Sequence, residues 1–196
     1  MTPPPPSAAF ITVVSGLPRS GTSMMMRALD AGGIPALSDN SRAADIDNPF
    51  GYFEYEPVKA LRRQAGWLEA ARGHCVKIIY RLLYDLPDTL PYRIVFMERN
   101  LDEVIASQNA MLRRLGRPVN GGRDADLKGL FERELSACDA WLRTQPNVCV
   151  LRTSYQAAMS APGEQFAAVA LFLDRRCDIE AMVATVDPSL HRERRN

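Results

Sequence analysis

The run FITVVSGLPRSGTS, Phe10 to Ser23, decides how the rest of this chain is read. Phe10 to Ser15 is short, apolar and rich in β-branched residues, and it ends at a glycine, so it reads as a buried strand. Next come Gly16, four residues, Gly21, and then Thr22 and Ser23 opening a segment with helical spacing. Strand, glycine-bearing turn and helix start together make an anion site. The unpaired N–H groups of a first helical turn point at the ligand, and the helix dipole favours negative charge there. Gly16 and Gly21 let the backbone approach the anion closely, and Thr22 and Ser23 add hydroxyl donors. The lysine that follows the second glycine in nucleoside-triphosphate loops is missing, and Arg19 inside the loop supplies a permanent, planar charge instead. No clear strand ends in the aspartate that such sites use to hold Mg²⁺, which weighs against metal-dependent triphosphate hydrolysis.

Beyond the loop, Thr22–Ala31 is expected to be helical, with Met25, Met26 and Leu29 on one face and Gly32-Gly33 as its stop. From Ile34 to Tyr55 the periodicity disappears and Asp, Asn, Ser, Pro and Gly accumulate; so long an irregular segment in a compact domain points to function or disorder. Pro57–Ala71 is predicted as a helix with Val58, Leu61, Ala65 and Leu68 as its stripe. His74–Ile79, Arg93–Met97 and Asn147–Leu151 read as further strands. Helices are predicted over Leu101–Leu115, with Asn100 and Glu103 resembling a capping box, over Asp126–Thr144, and around Glu164–Leu173 and Ile179–Ala184. Apolar strands alternating with helices give an α/β fold: a P-loop-type parallel sheet flanked by helices on both faces, three layers deep. The expected organisation is a disordered Pro-rich lead-in over 1–9, one domain over 10–188 and a basic tail over 189–196.

The 196 residues suffice for one domain with a real core, and the net charge of +1 gives no global reason to expect nucleic acid or a membrane as partner. The arginine pairs and the HRERRN ending read as solvated faces and a tail. Four widely spaced cysteines and two histidines offer no structural zinc site, and free thiols fit a reducing, cytoplasmic setting. The N-terminus has neither the basic region nor the apolar core of a secretory signal.

A second stretch, ERNLDEVIASQ (Glu98 to Gln108), places Arg99 at a strand end and Ser107 two helical turns later. Arginine and hydroxyl converging at the carboxyl edge of a parallel sheet suit a second phosphate. Together, PRSGTS after one strand and RN-x-D-x-V-x-x-S after a later one resemble the two nucleotide signatures of the sulfotransferase family, whose donor is 3′-phosphoadenosine 5′-phosphosulfate (PAPS). The resemblance is to bacterial-type members, through NPFGYFEYEP, and extends loosely from about Phe10 to about Pro188. It implies that Pro18, Arg19, Ser20, Gly21, Thr22 and Ser23 hold the 5′-phosphosulfate, and that Arg99 and Ser107 hold the 3′-phosphate. It places Lys77 near the transferred sulfuryl group and Tyr155 near the adenine. The histidine base of the cytosolic small-molecule branch falls near Ile79 and is therefore absent. Branches that sulfate carbohydrate or protein tyrosine use a glutamate base, so Asp39, Glu54 and Glu56 in the long loop are the candidate bases.

The implied activity is metal-independent sulfuryl transfer from PAPS to a hydroxyl or amine, with Arg19, Lys77, Asp39 and Glu54 as candidate catalytic residues. The partners are then the nucleotide and an acceptor that the sequence does not name. Two other classes stay open: an ATP-dependent, kinase-like phosphotransferase and a non-catalytic nucleotide-binding module of the same fold.

Overall fold

A computed structural model of the chain describes residues 10–39, 44–45, 48–119 and 122–187. The expected lead-in over 1–9 and the basic tail over 189–196 lie outside the described residues. Four strands form one parallel sheet: β1 (Ile11–Gly16), β2 (Cys75–Lys77), β3 (Tyr92–Glu98) and β4 (Val148–Ser154), in the spatial order β2-β1-β3-β4. β1 thus pairs with β2 on one side and β3 on the other, with Val13 facing Val76 and Ile94 and Gly16 facing Met97. The direction of growth across the sheet reverses at β1, so a crevice opens between the carboxyl ends of β1 and β3.

Both faces of the sheet are covered, and strand alternation decides which residue goes where. On one face Ile11 and Val13 of β1 and Ile94 and Phe96 of β3 meet helices α2 (Leu101–Arg114) and α3 (Asp124–Leu142) through Val104, Ile105, Phe131 and Cys138. On the other face Val14, Val95 and Met97 meet α1 (Thr22–Ala31), α5 (Pro162–Leu173) and α6 (Ile179–Ala184) through Met25, Met26, Leu29, Phe166, Leu173 and Met182. The α1 face Met25, Met26 and Leu29 is wholly buried, each such side chain contributing roughly 2 kcal/mol of transfer free energy. A short α4 (Tyr155–Ser160) starts directly after β4, capped by the Ser154 hydroxyl, which accepts from the Ala157 N–H. At the β4 edge Arg152 pairs with Glu98 and Asp139 and lies over Phe96, which puts charge on an otherwise open strand.

One expectation needs correction. Pro57–Ala71 is not one α-helix but two 3₁₀ segments, Glu56–Ala60 and Gly66–Ala71, with the chain turning between them. The apolar residues still point inward, since Val58, Leu61 and Leu68 are buried. Their three- and seven-residue spacing fits either helix type, and Gly66 weakens a continuous one. A further 3₁₀ segment, Tyr80–Asp85, follows β2 where the sequence showed no helical period. Helix and strand ends elsewhere differ by a few residues; α3, for instance, starts at Asp124 and ends at Leu142.

Candidate functional site

β1 runs into a turn whose shape depends on glycine at two places. At Gly16 (φ +142°) a Cβ would stand 2.5 Å from Ser20 Oγ and 2.6 Å from the Met97 carbonyl oxygen. At Gly21 (φ +97°) it would stand 2.4 Å from Cδ2 of the Tyr155 ring. The Tyr155 ring therefore lies flush against the loop. Between the glycines, the Ser20 N–H and hydroxyl both donate to the Leu17 carbonyl, at 3.1 and 2.7 Å, so the Ser20 side chain serves to close the turn. Arg19 takes a left-handed backbone (φ +72°), a strained state for a residue with a side chain. Helix α1 begins at Thr22 with no side-chain cap on its first-turn amides. A helix start of that kind attracts anions.

The second segment meets the first across the β1–β3 crevice. Arg99 directly follows β3, and its Nη1 donates to the Arg19 carbonyl at 3.1 Å while Nε donates to Glu103 at 3.0 Å. The Arg99 guanidinium sits 4.5 Å above the Tyr155 ring, a cation–π contact. Ser107, buried on α2, accepts from Arg19 Nε at 3.0 Å. The Asn100 side chain caps α2 by accepting from the Asp102 and Glu103 amides. Two segments some eighty residues apart are thus tied twice, through the backbone and the side chain of Arg19. Burial holds the Arg19 guanidinium below its usual pKa; Arg99 and Arg114 push it the same way, while Tyr52 and Asp45 oppose them. An anion relieves that crowding of like charge.

The carboxylates and Lys77 are arranged by the long loop. The Tyr52 carbonyl accepts from Lys77 Nζ and, at 3.3 Å, from Ser23 Oγ, and the Tyr52 hydroxyl donates to both Asp45 oxygens at 2.7 and 2.8 Å. Positive φ at Gly51 (+88°) and Phe53 (+50°) turns the chain so that Tyr52 and Glu54 both face the crevice. Asp39 lies away from the cleft lining: its carboxylate accepts the Glu56 N–H at 2.5 Å, and its own N–H donates to the Glu54 carbonyl at 3.1 Å. Glu56 is also outside the lining, and pairs with Lys59 at 2.6 Å on the surface. Of the three carboxylates raised from sequence, Glu54 is the one in the cleft.

That cleft has a volume of about 560 Å³. It is lined at one end by Pro18, Arg19, Gly21, Thr22 and Ser23, with Arg99, Ser107 and Tyr155 beside them, and it also reaches Lys77 and Glu54. Met24, Arg114 and Tyr52 are among the lining residues not singled out from sequence. Met24 immediately follows the loop. Arg114 lies two turns beyond Ser107 on the same face of α2, a spacing that marks it in hindsight. Tyr52 acts mainly through its carbonyl, which no residue type announces. Among the described residues no group of three His, Cys, Asp or Glu side chains is placed to hold a metal, and no helix is long and apolar enough to cross a membrane. Cys75, Cys138, Cys149 and Cys177 are unpaired.

No protein-family profile matches the sequence, and no curated protein does. The fold does have solved counterparts. The sulfotransferase domain of the Synechococcus PCC 7002 olefin synthase superposes with a TM-score of 0.57 at 15% identity, covering 92% of this chain and 85% of that one. A retinol dehydratase, solved in complex with androsterone and inactive cofactor PAP, aligns at 18% identity with a TM-score of 0.47, over 93% of this chain and 64% of its own. The first likeness concerns architecture, and it is extensive: this chain is built on the fold of a sulfotransferase domain.

Proposed function

We propose that the protein transfers a sulfuryl group from PAPS to a hydroxyl or amine acceptor. The observation that carries this reading is one cleft lined by an uncapped helix start, by the Arg99–Ser107 pair, by Lys77 and by Glu54. The residues suit the donor. The uncapped loop amides and Arg19 are the groups to hold one anion at the start of α1, and Arg99 with Ser107 offers a guanidinium and a hydroxyl to a second one. The Tyr155 ring beside Gly21 gives a flat surface for a base.

Bound PAPS supplies a sulfur that bonds to the acceptor oxygen or nitrogen while its bond to the 5′-phosphate oxygen breaks, leaving the bisphosphate PAP. Glu54 takes the acceptor's proton. Arg19, Lys77 and the loop amides hold the charge that develops on the oxygens, where one preorganised donor contributes about 3 kcal/mol. The hydrogen bond from Lys77 to the Tyr52 carbonyl fixes where its ammonium points, so this donor is oriented before the reaction. The proposed setting is the reducing cytoplasm, in keeping with four unpaired thiols.

Calorimetric titration tests the reading. The protein should bind PAP at least tenfold more tightly than adenosine 5′-phosphosulfate, since a charge-assisted contact from Arg99 contributes on the order of 2 kcal/mol. Arg99→Ala should remove most of that preference, and because Arg99 also holds the Arg19 carbonyl it should lower affinity for adenosine 5′-phosphosulfate as well, by a smaller factor. Equal wild-type affinity for the two ligands ends the sulfotransferase reading, and tighter binding of ATP–Mg²⁺ than of PAP points to a phosphotransferase instead.

A further inference from the structure

The two groups that the donor reading assigns to a second anion are already engaged with their neighbours. Arg99 Nε donates to Glu103 at 3.0 Å, and the two side chains are only 8% and 12% exposed, so a carboxylate offsets the Arg99 charge inside the protein. Arg99 Nη1 goes to the Arg19 carbonyl, and the Ser107 hydroxyl accepts from Arg19 Nε. A phosphate monoester brings a charge of about −1.5 to −2 and three acceptor oxygens. One offset guanidinium and one hydroxyl do not balance that charge, so more must come from elsewhere on the lining.

The same helix supplies it. Besides Arg19 and Arg99, the described lining of the cleft holds the cations Lys59, Lys77 and Arg114. Lys59 is at the rim, paired with Glu56, and Lys77 is held by the Tyr52 carbonyl. Arg114 stands on the face of α2 that carries Ser107, about 10 Å further along the axis. Side chains of a helix lean towards its N-terminus, so the long arm of Arg114 leans back towards Ser107. Beyond burial, the charges of Arg99 and Arg114 both lower the Arg19 pKa, which gathers the three guanidiniums at one end of the cleft. Arg113 has the same charge and the same favourable place in the last turn of α2, but it projects about 100° away and does not line the cleft.

Resting on the sulfotransferase reading, we infer that Arg114 is a third hold on the nucleotide's 3′-phosphate, reaching back along α2 to the anion that Arg99 and Ser107 bind. It restores the charge that Glu103 offsets on Arg99 and adds a fork of N–H donors from the α2 side. PAP keeps that phosphate after the sulfuryl group has left. The same contact therefore holds the product, and Arg114 sets how fast PAP departs.

The test compares PAP with adenosine 5′-monophosphate, which lacks only the 3′-phosphate, by calorimetry. It also times the release of radiolabelled PAP after a chase with unlabelled PAP. Arg114→Gln keeps a good helix former in place. It should weaken PAP about tenfold, through faster release, and leave adenosine 5′-monophosphate within about twofold. That second, unchanged affinity also reports an intact fold. Arg113→Gln removes the same charge one residue away and should leave both ligands within about twofold. An equal loss in Arg113→Gln, or a loss confined to the association rate, means that the pair acts only through its long-range field, and overturns the inference. Equal weakening of both ligands in Arg114→Gln overturns it too. If the wild-type protein binds PAP no more tightly than adenosine 5′-monophosphate, the sulfotransferase reading falls and the inference with it. A wild-type preference for PAP that Arg114→Gln keeps in full removes the inference alone.

Discussion

Glu54 and Asp39 sit in one loop and are joined by a backbone hydrogen bond, yet they answer to different demands. Glu54 lines the cleft that Lys77 also lines, whereas the Asp39 carboxylate holds the amide that opens a 3₁₀ segment. Glu54→Gln should lower kcat by a hundredfold or more, a typical loss for a general base, with PAP affinity unchanged; full turnover in that variant sinks the assignment. Asp39→Ala should instead appear as lost stability, about 1 kcal/mol in a urea melt, as for other lost caps. Arg19, Arg99 and Ser107 were legible in the sequence because local spacing fixes them: a loop between strand and helix, and a serine two turns after a strand-end arginine. The division of labour between Asp39 and Glu54 was not. It depends on positive φ angles at Gly51 and Phe53, and those leave no period to read.

Helix α1 and its loop illustrate what a segment settles by itself and what it borrows. The strand, the turn and the buried face of α1 were all readable, since alternation and helical spacing state them. That the Tyr155 ring lies against Gly21 was not, because Tyr155 reaches the loop only through the sheet that carries β4 alongside β3. Gly21→Ala should therefore fail twice, by backbone strain at φ +97° and by collision with that ring. PAP affinity should drop by more than tenfold, about 1.4 kcal/mol or more. Adding Tyr155→Leu should recover part of it; no recovery leaves backbone strain as the whole cause. The misread segment Pro57–Ala71 shows the reverse case. Its burial pattern was right and its helix type wrong, since inward residues three apart satisfy a 3₁₀ turn as well as an α-helix. The tie from Tyr52 to Asp45 has a readout of its own: Tyr52→Phe should lower kcat several-fold through a less well held Lys77 while PAP affinity stays put. A fall in affinity matching the fall in kcat argues against that positioning role.

The sheet as a body was predictable in kind, since apolar strands alternating with helices admit few arrangements, and a two-faced parallel sheet is the one observed. Its strand order was not predictable, because nothing along the chain states that β1 lies between β2 and β3. That central place has a meaning for how the protein is made. β1 and the loop after it are translated early, but the partners that flank β1 lie some sixty and eighty residues further on. At ~5–20 residues per second, Tyr92 is added roughly 4–16 s after Ile11. Until β2 is made FITVV is an apolar strand with both edges bare, and until β3 is made one edge stays bare, an adhesive segment of the nascent chain. Amide exchange on released fragments should show it: a chain ending before Tyr92 leaves the Ile11–Gly16 amides unprotected, and one extending past Ser154 protects them. Strong protection in the shorter fragment contradicts this order. The first part of the crevice to leave the ribosome is thus among the last to take its final shape, and until then its apolar strand is the segment a chaperone would hold.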